Sequence, residues 1–218
     1  MGKRILFFGD SITDACRRED VFCGLGAGYV TMISGELGLE YPNQYEVINS
    51  GIGGHRVVDL YARLKSDFLN FSPDYATIYC GVNDTWHEIL YNNGVATPKF
   101  ERLYDIMLSD IYEALPDIKL ILIAPFVVEG RGTCNNEEMP DRFERFKVDV
   151  AEKAEAVKRI GKKYNLPLIN VMNPDATMNE LAGPDYVGLD RFECRKQLVK
   201  QIEEDGLLIK IEKITNQV

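Results

Sequence analysis

The chain has 218 residues, 45% of them hydrophobic and 27% charged, a composition ordinary for a globular protein and sufficient to bury the core of one α/β domain. Its net charge of −9 argues against a nucleic-acid partner, because phosphate binding needs a basic face. Cys16, Cys23, Cys80, Cys134 and Cys194 are odd in number, scattered, and form no CxxC pair or zinc-ligand spacing, so free thiols in a reducing compartment are expected. No metal or cofactor is expected, and no nucleic-acid partner.

Lys3 and Arg4 precede the first apolar run, Ile5–Phe8, which is far too short for a signal peptide or a membrane span. A cytoplasmic protein is expected. Four further runs rich in branched or aromatic residues follow: Tyr45–Ile48, Tyr75–Tyr79, Leu120–Ala124 and Leu168–Val171. None alternates cleanly, as for strands covered on both faces of a parallel sheet.

Helical spacing lies between these runs. Val57, Leu60, Leu64 and Phe68 share one face of a helix beginning near Arg56. Phe100, Leu103, Tyr104, Met107, Leu108 and Ile111 do the same, with Pro98 suited to the first turn. A long charged helix is predicted over Arg142–Tyr164, with Phe146, Val150, Ala154, Val157 and Ile160 inward, and a last one over Phe192–Glu204. Alternating strand and helix imply a single doubly wound α/β domain over residues 1–211, with a polar tail at 212–218. Residues 127–141 (VVEGRGTCNNEEMPD) carry little core pattern and read as a long loop, either a functional lid or disorder.

In such a sheet, ligands bind beyond the carboxyl ends of the strands. After the first strand stand Gly9-Asp10-Ser11, after the second "NSGIGG" (49–54), and after the third "GVND" (81–84). An acyl-transfer site needs a nucleophile and donors aimed at the developing oxyanion. Ser11 supplies a hydroxyl at a strand-to-helix turn. Gly54 can present an amide with no side chain in the way, and Asn83 an amide group. Taken singly, each has a plainer reading: a helix cap at Ser11, a phosphate-binding turn, a chain reversal at the glycines, or a cap at Asn83-Asp84. A phosphate or nucleotide loop is the weaker choice, since the turn lacks a second glycine and a basic residue before Arg17.

Together these blocks resemble those of the SGNH hydrolases, the GDSL-type lipase/acylhydrolase family. "FFGDSIT" resembles the first block, "NSGIGG" the second and "GVNDT" the third, and "PDYATIYCGVND" and "LPDIKLILIAPF" extend the similarity in the family's order. The resemblance implies a three-layer α/β/α sandwich with a central parallel sheet of about five strands. It implies hydrolysis of a small or carbohydrate-linked carboxylic ester without a metal, with Ser11 as nucleophile and Gly54 and Asn83 as oxyanion donors.

The family's last block is Asp-x-x-His, whose His is the general base. Here the matching stretch is "GPDYVGLDRFECRKQL", in which Asp185 fits the acid and Gly188 stands where the His belongs. Leu189 and Asp190 also depart from the family pattern, so the whole block diverges. Only two histidines exist in the chain, His55 and His87, and each is a possible substitute base. His55 otherwise reads as a polar residue opening a helix, and His87 as a solvated or packed residue beside Trp86. A serine is a poor nucleophile until a base takes its proton. The sequence therefore supports two functions: a serine esterase with an atypical or missing base, or a catalytically silent relative that binds an ester or sugar ligand.

Overall fold

The computed structural model describes residues 2–19 and 23–170. Five strands, β1 (Lys3–Gly9), β2 (Tyr45–Gly51), β3 (Tyr75–Tyr79), β4 (Lys119–Ile123) and β5 (Leu168–Ile169), form one sheet in the order β2-β1-β3-β4-β5. Every pairing is parallel, and Gly9 lies opposite Gly51 on one side and Tyr79 on the other. The carboxyl ends of β1, β2 and β3 thus finish side by side. The expected three-layer fold with a five-stranded parallel sheet is what the chain adopts.

The unbroken apolar character of β1 follows from its two covered faces. Ile5 and Phe7 pack with Tyr29, Val30, Ile33 and Leu37 of α2 (Tyr29–Glu40). Leu6 and Phe8 point the other way, into a core with Val57 and Leu60 of α3 (Val57–Ala62), Phe100 and Tyr104 of α6 (Thr97–Ala114), and Val157 and Ile160 of α7 (Arg142–Tyr164). Successive strand side chains alternate in direction, so both sets must be apolar.

The helix predicted from Arg56 is interrupted. Val57, Leu60, Leu64 and Phe68 are all buried as expected, but α3 ends at Ala62 and α4 (Leu64–Asp67) begins beyond Arg63. Arg63 is drawn inward by polar partners described below, and the chain breaks there to deliver it. The inward set of α7 also differs at one position. Lys153, not Ala154, is buried, its ammonium paired with Asp149 at 2.6 Å.

Three helices lay outside the apolar-spacing reading: α1 (Ser11–Asp14), α2, and α5 (Val82–Tyr91). In α2 the exposed Met32 and Leu39 and the interior Gly35 and Gly38 obscure the stripe made by Val30, Ile33 and Leu37. Residues 127–141 contain no strand or helix, in keeping with the predicted loop. The helix predicted over Phe192–Glu204 and the polar tail lie outside the described residues. Among the described residues, no helix is long and apolar enough to cross a membrane.

Candidate active site at three strand ends

The site begins where β1 stops. Asp10 caps α1, its Oδ1 accepting from the Ile12 N–H at 3.0 Å, and is fully buried. Ser11, the next residue, is exposed at the first helical position. Its placement is enforced from β2. Asn49 donates from Nδ2 to the Thr13 and Leu25 carbonyls, both at 2.6 Å, while its Oδ1 accepts from the Gly51 N–H at 2.9 Å. A side chain at Gly51 would run into the backbone of Thr13 and Asp14, so only glycine lets β2 close against α1.

The turn after β2 then passes beside the serine. The Gly53 N–H donates to Asp14 Oδ2 at 3.1 Å, and a Cβ on Gly53 would stand 3.8 Å from that of Ser11. Gly54 adopts φ +79°, a left-handed conformation natural to glycine, and its N–H makes no hydrogen bond among the described residues. Asn83, second residue of α5, is buried and donates from Nδ2 to the His55 carbonyl at 3.1 Å. Ser11 and Asn83 line one cavity of about 350 Å³, walled by Val82, Trp86 and Phe126 and by the loop from Val127 to Thr133. The structure therefore brings Ser11, the glycine turn and Asn83 together.

Beneath them lies a buried polar layer. Arg63 donates from Nη2 to the Gly9 carbonyl at 2.9 Å and from Nη1 to the Ser50 carbonyl at 2.8 Å, and its guanidinium sits 4.3 Å from the centre of the Phe8 ring. It ties together the ends of β1 and β2. Asp84 receives the Val57 N–H on both carboxylate oxygens at 3.2 Å, capping α3. Burial pushes the Asp10 and Asp84 carboxyls up to about 7.

Neither His55 nor His87 is among the residues that line the Ser11 cavity. His55 accepts at Nδ1 from the Arg63 Nε–H at 3.1 Å. Burial, and then the Arg63 charge, lower its pKa, which favours the neutral ring. With Nδ1 accepting, the single ring proton is at Nε2. His87 packs edge-on against Tyr91, with ring centres 5.7 Å apart, and does not line the Ser11 cavity. Asp185 and Gly188 lie outside the described residues.

Three contributors escaped the sequence reading, Arg63, Trp86 and the lock made by Asn49, while the 127–133 loop, read as a lid or disorder, lines the cavity. Trp86 was within reach of that reading. Had "GVND" been read as opening a helix, Asn83 and Trp86, three residues apart, would have fallen on one face.

A family model for GDSL-like lipases and acylhydrolases matches residues 7–192. An acetylxylan esterase from Geobacillus stearothermophilus is 35% identical over 165 residues, covering 72% of this chain and 74% of that protein. Among solved structures, a catalytic variant of an acetylxylan esterase from the same organism superposes with a TM-score of 0.70 at 25% identity, covering 89% of this chain and 95% of the other. Its catalytic variants replace a Ser, an Asp or a His by Ala, the Asp and His standing three residues apart. A second similarity is short: 59 residues, 27% of this chain, are 58% identical to valine–tRNA ligase of Streptococcus thermophilus, of which they span only 7%.

Proposed function

The chain belongs to the GDSL-like lipase/acylhydrolase family, and from that premise we propose that it acts on a small carboxylic ester, an acetyl group carried on a sugar being the favoured case, with Ser11 as nucleophile. The observation that carries the reading is the meeting of Ser11 and Asn83 on one cavity, with the Gly53-Gly54 turn packed beside the serine. The acetylxylan esterase relative supports the acetyl–sugar linkage.

The chemistry follows from the positions. Ser11 Oγ attacks the carbonyl carbon, and the oxygen gains negative charge as the carbon becomes tetrahedral. The Gly54 and Ser11 amides and the Asn83 Nδ2 are the donors offered to that charge, and such preorganised donors are each worth about 10²–10³ in rate. The apolar walls at Val82, Trp86 and Phe126 exclude water from the acyl group and strengthen those bonds. A cavity of about 350 Å³ favours short acyl chains.

The test is the Ser11 dependence of chromogenic acetate-ester hydrolysis, with imidazole added so that proton transfer does not limit the result. Wild type should exceed Ser11→Ala by about tenfold or more, since a positioned base contributes about 10²–10⁴. Equal rates would remove the reading.

A further inference from the structure

We infer that the last quarter of this chain is a valine–tRNA-ligase-like sequence standing where the family carries its Asp-x-x-His block, so that Ser11 is a nucleophile without a histidine base in its own chain. The inference rests on the functional reading above and deepens it.

The first support is how the two similarities divide the chain. The acetylxylan esterase match takes 72% and the ligase match 27%, shares that together all but fill it. The serine, glycine and asparagine blocks all lie within the first 85 residues, and the first four strands end by Ile123. Matches that do not overlap leave the 59 ligase-like residues at the end of the chain, where they are too many to follow Ile169 and take in β5 as well. The esterase match also leaves about a quarter of the esterase unaccounted for. The family match reaches residue 192 and takes in Asp185, but the position three residues on is Gly188. A replaced segment explains why Leu189 and Asp190 depart along with Gly188, where a point change would have altered one residue.

The second support is independent of any alignment. The chain has two histidines, and both are described. His55 has its Nδ1 occupied by Arg63, leaving a protonated Nε2 that donates and does not accept. His87 lies against Tyr91, away from the cavity. Asp10, adjacent to Ser11, is fully buried beneath it and does not line the cavity. The oxyanion side is thus built while the proton-accepting side is unfilled by any histidine.

A soluble imidazole can supply the missing group. It takes the Ser11 proton as Oγ bonds to the ester carbonyl carbon. The imidazolium then returns that proton to the departing alcohol oxygen as the C–O bond breaks. In the second half, imidazole takes a proton from water attacking the acyl-serine, and the carboxylic acid leaves as Ser11 regains its hydrogen.

The experiment measures hydrolysis of a chromogenic acetate ester by wild type and by Ser11→Ala over a range of imidazole concentrations, each corrected for the protein-free rate. Without imidazole the two proteins should match, because losing the base alone costs about as much as losing the serine as well. With imidazole, wild type should rise in proportion to its concentration while Ser11→Ala stays at background. A wild-type rate exceeding Ser11→Ala by about 10²-fold or more without imidazole would show a base within the chain and overturn this inference while leaving the esterase reading intact. If no Ser11-dependent rate emerges at any imidazole concentration, the esterase reading fails, and the inference falls with it.

Discussion

The Nε–H of Arg63 donates to Nδ1 of His55 at 3.1 Å, and this hydrogen bond decides which nitrogen of the imidazole carries the proton. A guanidinium has only donors, so Nδ1 must accept and the neutral ring is protonated at Nε2. His55 is thereby a structural partner of Arg63, despite following Gly54 directly in sequence. His55→Gln should leave the imidazole-supported, Ser11-dependent rate within a few-fold of wild type, whereas removal of a true base costs about 10²-fold or more. Nitrogen NMR of the ring should report the Nε2-protonated tautomer, and a proton at Nδ1 would contradict the account.

Arg63 itself is a larger matter, because its guanidinium binds the carbonyls of Gly9 and Ser50 from within the core. Arg63→Met leaves both carbonyls short of a donor and should cost about 3 kcal/mol. For a chain of this length, that lowers Tm by roughly 10 °C in a thermal melt. A change within a degree or two would mean that the strand ends are held by other contacts.

Asn83→Ala tests the oxyanion side. It removes an amide that lines the Ser11 cavity and should lower kcat for the imidazole-supported reaction by about 10²–10³ with little change in KM. Loss confined to KM would make Asn83 a substrate-binding group instead.

The buried acids Asp10 and Asp84 give a pH signature of stability. Each folded-state pKa is raised from 3.8 to about 7, so the fold holds the proton more tightly than the unfolded chain does. Their favourable contribution is therefore complete below about pH 4 and is lost as pH rises towards 7. Asp10→Asn keeps an oxygen for the Ile12 N–H and removes the titration. Denaturant unfolding at pH 5 and pH 7.5 should show a smaller loss of stability in the variant than in wild type. Equal losses would place the Asp10 carboxyl in a more polar setting than its burial indicates.

The acyl wall can be altered at Trp86, which packs against Phe146 with ring centres 5.1 Å apart and lines the cavity beside Ser11. A side chain at Gly132 would strike its indole ring, so loop and helix are fitted to each other there. Trp86→Ala should shift acyl preference towards longer chains, read as the butyrate-to-acetate ratio of imidazole-supported rates, and destabilise the protein by about 3 kcal/mol. An unchanged ratio would place the acyl group elsewhere.

The sheet and the long helices were legible because their signals are local. Five apolar runs became five strands, and the 3.6-residue spacing over Arg142–Tyr164 gave the observed bounds of α7. Ser11, Gly54 and Asn83 were legible as candidates because each follows a strand that the sheet brings alongside its neighbour. Arg63 was not, since an arginine beside an apolar helical stripe looks solvated until the carbonyls of two strands converge on it. The tautomer of His55 was equally invisible, for it depends on a residue eight positions away. The last block, with Asp185 and Gly188, lies outside the described residues.

The most direct measurement is peptide mapping by mass spectrometry after incubation with p-nitrophenyl acetate. Without imidazole acylation is unassisted and Ser11 should stay unmodified, whereas an acid quench during turnover with imidazole should trap the acetyl group on Ser11. The account predicts an acetylated peptide containing Ser11 that forms when imidazole is present, does not form without it, and is absent from Ser11→Ala. Acetylation confined to lysines, identical in wild type and Ser11→Ala, would contradict it.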